Sequence, residues 1–168
     1  VQCFYNKEKG TFSNGKQAPN LYALADGFLS DSEENDIAAR LLKSISENGK
    51  HLDLGIYGIG YLVEELGRFG AADTALDCLM NPEYPSFAYQ IAKGATTLWE
   101  QWCGKGDMSS HNHAMFAGAV SGFYTTLAGV TPTDNGFKKF KIKPVLSRHI
   151  KRLDFSFNTV NGKFELHY

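Results

Sequence analysis

The spacing of apolar residues changes near residue 130, and this change limits which folds the chain can adopt. Upstream, apolar residues recur every three or four positions, the repeat of one helix face; Leu21, Leu24 and Phe28 are an example. Downstream, "FKKFKIKPV" alternates apolar and basic residues, the repeat of a half-buried strand. A run of helices followed by strands predicts a mainly α chain, with a helical part (residues 1–130) before antiparallel β-strands (residues 131–168).

The helical part is predicted to contain several antiparallel helices joined by short connections. Ser30 or Asp31 can cap the second helix, and Gly49 supplies its stop. The fifth predicted helix contains Glu100 near its end. The predicted ranges are 17–29, 31–48, 56–68, 71–80, 86–102 and 112–127.

A β-hairpin is predicted near the end of the sequence. "RLDFSFNTV" and "KFELHY" read as strands, and Asn161-Gly162 lies between them. Asn-Gly favours a two-residue turn because both of its central residues adopt positive φ.

Charge and cysteine content exclude several classes of function. The formal net charge is −1, with no basic stripe and no run of about 18 apolar residues, so neither nucleic acid nor a membrane is an expected partner. The three cysteines are widely spaced and form no CxxC motif, which predicts neither a disulfide framework nor a zinc site. We expect no metal and no cofactor.

Glu100 stands between two tryptophans in "GATTLWEQW", and two interpretations of it are open. It can be a solvated helix residue flanked by core aromatics, or a carboxylate beside aromatic walls in a sugar site. Glycosidases use two carboxylates around a sugar ring, and Glu100 is one candidate. Glu64 and Glu65, by contrast, are predicted to be surface partners of Arg68 and its neighbours.

Two other motifs could bind ligands. In "HNH", His111 and His113 are two residues apart and do not share a helix face, so substrate hydrogen bonding or a structural role is favoured over metal ligation. In "GIYGIG", the glycines are in the wrong order for a dinucleotide loop and no strand precedes them. Close helix packing, or a ligand near the backbone, fits these glycines better.

Taken together, these segments resemble the bacterial α-L-rhamnosidases of glycoside hydrolase family 78. The resemblance rests on "YPSFAYQIAKGATTLWEQW", then "MSSHNHAMFAGAVSGFYTTLAGVTP", then "GFKKFKIKPV", and it extends upstream to about Asn14. The family's catalytic domain is an (α/α)6 barrel of the six-hairpin type followed by a β-sandwich. The resemblance therefore implies the second half of such a barrel and the first sandwich strands.

The family removes terminal α-L-rhamnose with inversion at the anomeric carbon, using two glutamates. By resemblance, Glu100 is the general base and His113 contacts the bound rhamnose, with Asn112 holding the loop beside it. Trp99 and Trp102 are expected to surround the sugar. Phe87 stands where the family often has Trp, so its smaller ring could alter sugar stacking. His111 and Ala114 stand where the family often has aromatic residues, which affects specificity.

The family's general acid belongs to the first half of the barrel, which this sequence does not contain. The chain is therefore expected to be a C-terminal fragment, inactive alone, that meets the missing half-barrel or another copy of itself. Its expected ligand is a rhamnose-containing glycoside or polysaccharide. An alternative from another class is a non-catalytic helical and β protein that binds carbohydrate or a partner.

Overall fold

A computed structural model describes residues 4–103 and 109–168, and its helices agree with most of the predicted ones. A short hairpin of β1 (Tyr5–Asn6) and β2 (Thr11–Phe12) precedes them and was not predicted. The helices are α1 (Gln17–Ala25), α2 (Asp31–Glu47), α3 (Ile59–Arg68), α4 (Ala72–Leu79) and α5 (Phe87–Ala92). A sixth helical segment follows as a 3₁₀ helix (Ala114–Gly118), α6 (Ala119–Gly122) and a π-helix (Phe123–Leu127).

The ends of α2 show why the local signals in the sequence worked there. The Glu33 carboxylate accepts hydrogen bonds from the Ser30 backbone N–H at 2.9 Å and from its hydroxyl at 2.7 Å. At the other end Gly49 has φ 63°, and the Lys50 N–H donates to the Ile45 carbonyl at 2.8 Å. This is the hydrogen bond of a Schellman stop, so the predicted cap and stop are both confirmed.

The predicted fifth helix over residues 86–102 is wrong after residue 92. Gly94 has φ 91°, and the Ala95 N–H donates to the Gln90 carbonyl at 3.0 Å, which closes α5 with another Schellman motif. Residues 95–103 then run as a loop. Glu100 therefore lies in a loop, not on a helix. The predicted first helix also ends early, because Gly27 takes φ 67° shortly after Ala25.

Helix α3 and the sixth helical segment pack closely through small residues. A Cβ built on Gly122 would lie 2.6 Å from Val63 Cβ, and one on Gly60 would lie 3.5 Å from the Gly118 carbonyl oxygen. Gly58 is also tightly packed, with Ala18 Cβ 3.0 Å from such a position. Close packing, one of the two explanations for "GIYGIG", is what the structure shows. The core beneath includes Leu21, Leu24, Ile37, Leu41, Ile59, Leu62 and Leu66.

Glu65 contradicts the prediction that it is a surface residue. It is 4% exposed, and its carboxylate accepts from the Arg68 guanidinium at 2.6 Å. Arg68 also donates to Glu34 at 2.7 Å and thereby connects α3 to α2. Burial raises the pKa of Glu65, and the bond from Arg68 opposes that rise.

The strands after residue 130 form two antiparallel pairs. β3 (Val130–Pro132) pairs with β4 (Phe140–Ile142), and β5 (Asp154–Thr159) pairs with β6 (Gly162–His167). The predicted hairpin is confirmed, but its turn lies one residue earlier than predicted. Thr159 pairs with Gly162, so Val160 and Asn161 are the central turn residues. Of the two residues predicted to have positive φ, Asn161 and Gly162, only Gly162 does, at 127°.

Asp77 on α4 joins the helices to the segment that leads into β5. Its carboxylate lies 2.5 Å from Lys50 Nζ, 2.6 Å from an Arg148 guanidinium nitrogen and 2.8 Å from His149 Nε2. We call Asp77 and these three nitrogen-bearing side chains the Asp77 junction. Hydrogen bonds from these groups outweigh the effect of burial and lower the pKa of Asp77 to about 2. The division into a barrel part and a sandwich part near residue 130 stays a prediction.

Among the residues described, no helix has both the length and the apolar character that crossing a bilayer requires.

Candidate active site

Two loop segments, residues 97–100 and 110–113, run side by side and carry the candidate site. The Glu100 N–H donates to the Ser110 carbonyl at 2.8 Å, and the His113 N–H donates to the Leu98 carbonyl at 2.8 Å. The Thr97 hydroxyl donates to the His111 carbonyl. We call these segments the loop pair. Their hydrogen bonds fix Glu100 and His113 relative to one another even though neither lies in a regular element.

The Glu100 carboxylate is held at one oxygen. Its Oε2 accepts from the Ser110 backbone N–H at 2.8 Å, and the side chain is half-buried beside Trp99. Among residues 4–103 and 109–168, no hydrogen-bond partner is recorded for Oε1. A carboxylate that is oriented by one amide and keeps its other oxygen available can accept a proton from a water molecule.

His113 begins the sixth helical segment as its N-cap. Its Nδ1 accepts from the Met115 backbone N–H at 3.3 Å. A ring nitrogen that accepts a hydrogen bond carries no proton, so the proton of the neutral imidazole is on Nε2. The half-buried His113 side chain therefore offers a donor, which suits a sugar hydroxyl.

The aromatic residues predicted to surround a sugar take different positions. Trp99 is 7% exposed and stacks on His111, with ring centroids 4.5 Å apart and planes 15° from parallel. Trp102 lies in the core, where its Nε1–H donates to the Leu54 carbonyl at 2.8 Å and its ring lies 4.1 Å from Phe116. Phe87 packs against Trp102 at 5.2 Å. Trp102 and Phe87 are therefore packed with the core, and their sugar-binding role stays a prediction.

The structure thus brings four of the six predicted site residues together on the loop pair: Trp99, Glu100, Asn112 and His113. The Asn112 side chain is exposed, and its backbone N–H donates to Ser110 Oγ at 3.1 Å. Sequence reasoning missed the residues that hold Glu100 in place, Ser110 and Thr97. The spacing of apolar residues could not have revealed them, because their hydrogen bonds join two loop segments that are separate in sequence.

A metal centre is not part of the described site. Among the described residues, no group of three or more His, Cys, Asp or Glu side chains is placed to hold an ion. Cys78 is buried in the core, and burial raises the pKa of its thiol to about 12, which makes it a poor nucleophile.

A loop-borne carboxylate beside aromatic rings on a helical scaffold is typical of a glycosidase, and comparison with known proteins is consistent with that class. A sequence model described as the bacterial alpha-L-rhamnosidase 6 hairpin glycosidase domain matches residues 1–127. The chain belongs to this family.

Similar proteins carry the same name. An alpha-L-rhamnosidase of Formosa agariphila is 32% identical over 93% of the chain, and one of Alteromonas sp. (strain LOR) is 32% identical over 90%. In each case the match covers 18% of the relative. The chain therefore spans about a fifth of the length of these relatives.

Solved structures show the same similarity. An alpha-L-rhamnosidase of Aspergillus terreus superposes with a TM-score of 0.89 at 25% identity, covering 99% of the chain and 20% of that protein. The alpha-L-rhamnosidase of Streptomyces avermitilis, solved as a complex with L-rhamnose, gives a TM-score of 0.87 at 26% identity, covering 99% and 17%.

Proposed function

We propose that the protein containing this chain hydrolyses terminal α-L-rhamnosides with inversion, and that Glu100 is its general base. Family membership supports the substrate class. The observation that carries the role of Glu100 is its carboxylate, which the Ser110 N–H holds at one oxygen while the other has no recorded partner among the described residues.

In the proposed reaction, Glu100 Oε1 takes a proton from a water molecule as that water attacks the anomeric carbon. The bond to the aglycone oxygen breaks on the opposite face of the ring, and a second carboxyl group protonates that oxygen. The first sugar product is β-L-rhamnose. The His113 Nε2–H donates to a rhamnose hydroxyl, and Trp99 forms a wall of the pocket.

The proton donor comes, in this proposal, from a part of the protein that this chain does not include. Relatives about five times longer support that arrangement. The helices would form the second half of an (α/α)6 barrel, and the strands would be the first of a β-sandwich. The 168-residue chain alone would be inactive, because one carboxylate cannot both activate water and protonate the leaving group.

The test is hydrolysis of p-nitrophenyl α-L-rhamnoside by the protein at its natural length. Glu100→Gln should lower kcat by about 10²–10⁴-fold, the usual range for loss of a general base. Glu47→Gln is the matched control, because Glu47 is an exposed helix residue far along the chain from the loop pair. Its kcat should equal that of the unchanged protein.

Two further readouts separate a base from a residue that only binds. Azide needs no deprotonation, so it should restore turnover to Glu100→Ala and give the β-glycosyl azide. NMR of the first-formed sugar should show the β-anomer. Release of α-L-rhamnose first, or a Glu100→Gln protein that keeps its rate, would contradict the assignment. A protein without activity on any rhamnoside would favour a non-catalytic carbohydrate- or partner-binding role.

A further inference from the structure

His111 connects the two halves of the loop pair through its side chain as well as its backbone. Its imidazole stacks on Trp99 at 4.5 Å, and its carbonyl accepts from the Thr97 hydroxyl. Trp99 directly precedes Glu100, and Ser110, whose N–H holds Glu100 Oε2, directly precedes His111. The ring stack therefore lies one residue away from both partners of the hydrogen bond that orients the candidate base.

We propose that His111 is a positioning residue: its ring, stacked on Trp99, keeps the loop pair together and so keeps the Glu100 carboxylate where the reaction needs it. This inference rests on the proposed function for the role of Glu100, but the stack itself does not. The imidazole ring of His111 is flat, so it can stack on the indole of Trp99 as an aromatic ring does.

The contacts of the loop pair explain why a ring is needed at this position. Trp99 is 7% exposed although it lies in a loop, and His111 is exposed and covers one of its faces. Without the ring, that face would be in water, and the segment carrying Glu100 would lose one of its contacts with the facing segment, keeping its hydrogen bonds and the packing of Leu98 on the core. A displacement of about 1 Å in a reacting group can reduce a rate by about 100-fold, so a small loosening would be measurable.

The experiment compares His111→Ala, which removes the ring, with His111→Phe, which keeps a flat ring, in the protein at its natural length. With p-nitrophenyl α-L-rhamnoside, His111→Ala should lower kcat at least 10-fold and leave KM within about twofold. His111→Phe should recover most of kcat. Lys43→Ala replaces an exposed residue of α2 and is the control for differences in preparation and stability between variants.

A fluorescence measurement tests the stack without using activity. The emission change caused by His111→Ala is measured twice, once with Trp99 present and once in a Trp99→Phe background. A stacked ring alters the emission of Trp99 itself, so the change should occur with Trp99 and vanish without it. If no rhamnoside is hydrolysed but this difference is observed, the proposed function fails and the stack stands.

Several results would overturn the proposal. Equal kcat for His111→Ala and the unchanged protein would remove the positioning role. A raised KM at constant kcat would make His111 a binding residue instead. A His111→Phe protein as slow as His111→Ala would mean that imidazole chemistry matters rather than stacking. Emission that responds equally in both backgrounds would show that the rings are not in contact.

Discussion

Asp77 and Glu100 are both half-buried carboxylates that join separate segments of the chain, yet their surroundings differ in kind. Asp77 lies within 2.8 Å of side-chain nitrogen atoms of Lys50, Arg148 and His149, and its pKa is lowered to about 2. Glu100 is fixed differently, because its carboxylate accepts one hydrogen bond from a backbone amide, the Ser110 N–H.

The difference shows that the groups around a carboxylate decide whether it suits a structural ion pair or the role of proton acceptor. A carboxylate that accepts hydrogen bonds from a lysine, an arginine and a histidine, and whose pKa is lowered to about 2, stays ionised near neutral pH, so it can stabilise a junction but is a poor base there. A carboxylate held by one amide keeps an oxygen for a proton. Variants of the two carboxylates test this contrast.

The largest effect is expected from shortening the candidate base while keeping its charge. Glu100→Asp withdraws the carboxylate by about one methylene, roughly 1.5 Å, so kcat on p-nitrophenyl α-L-rhamnoside should fall about 100-fold. The shorter carboxylate can still deprotonate water, and Glu100→Asp should therefore be faster than Glu100→Gln. Equal rates for the two variants would mean that the charge of residue 100 is irrelevant to turnover.

The second prediction concerns the stability of the Asp77 junction. Asp77→Asn removes the charge that faces Lys50, Arg148 and His149, and it should lower the free energy of unfolding by about 2 kcal/mol. Urea unfolding measures this difference. Asp36→Asn, on the exposed face of α2, is a matched control and should change it by less than about 0.5 kcal/mol. A loss no larger than that of the control would show that the junction contributes nothing net.

The third prediction is a pH dependence that belongs to Asp77. Its pKa in the folded protein, about 2, is below the ordinary 3.8, so the folded state binds fewer protons than the unfolded state between these values. The stabilisation is present above about pH 4 and is lost as the pH falls toward 2. Urea unfolding of the unchanged protein and of Asp77→Asn should therefore give free energies that converge over this window, and a gap that stays constant would contradict the prediction.

The smallest effect is expected on the stability of Glu100→Gln, the variant that removes the charge of the candidate site. Glu100→Gln should change the free energy of unfolding by less than about 0.5 kcal/mol, because the amide oxygen of Gln can still accept from the Ser110 N–H. Thermal unfolding of the inactive variant beside the unchanged protein measures this. A destabilisation as large as that of Asp77→Asn would make Glu100 a structural carboxylate.

Local signals in the sequence predicted most helices because their causes are local. Ser30, Glu33 and Gly49 form the cap and the stop of α2 within a few residues of one another. The fifth helix was predicted to continue to Trp102, but Gly94, with φ 91°, ends α5. Leu98 and Trp102 lie beyond that stop in a loop that packs on the core, so their burial depends on tertiary contacts and not on a helix face.

The site was predictable in part. A carboxylate between two tryptophans, followed by an Asn-His pair, could be recognised in the sequence. The amide that orients Glu100 could not, because Ser110 lies ten residues away and contacts it through the backbone, which no side-chain pattern encodes. Glu65 was misjudged for a similar reason, since its burial depends on the packing of α3 rather than on its neighbours in sequence.

The close approach between α3 and the sixth helical segment bears on the candidate site, because His113 is the N-cap of the segment that packs against α3 at Gly122. A side chain added at Gly122 must displace the segment or Val63, and a displaced segment moves His113 with it. An inherited change at Gly122, nine residues from His113, is therefore expected to alter the position of His113 without replacing any residue of the candidate site. Loss of activity in a natural variant of this protein would not, by itself, locate the altered residue in the active site.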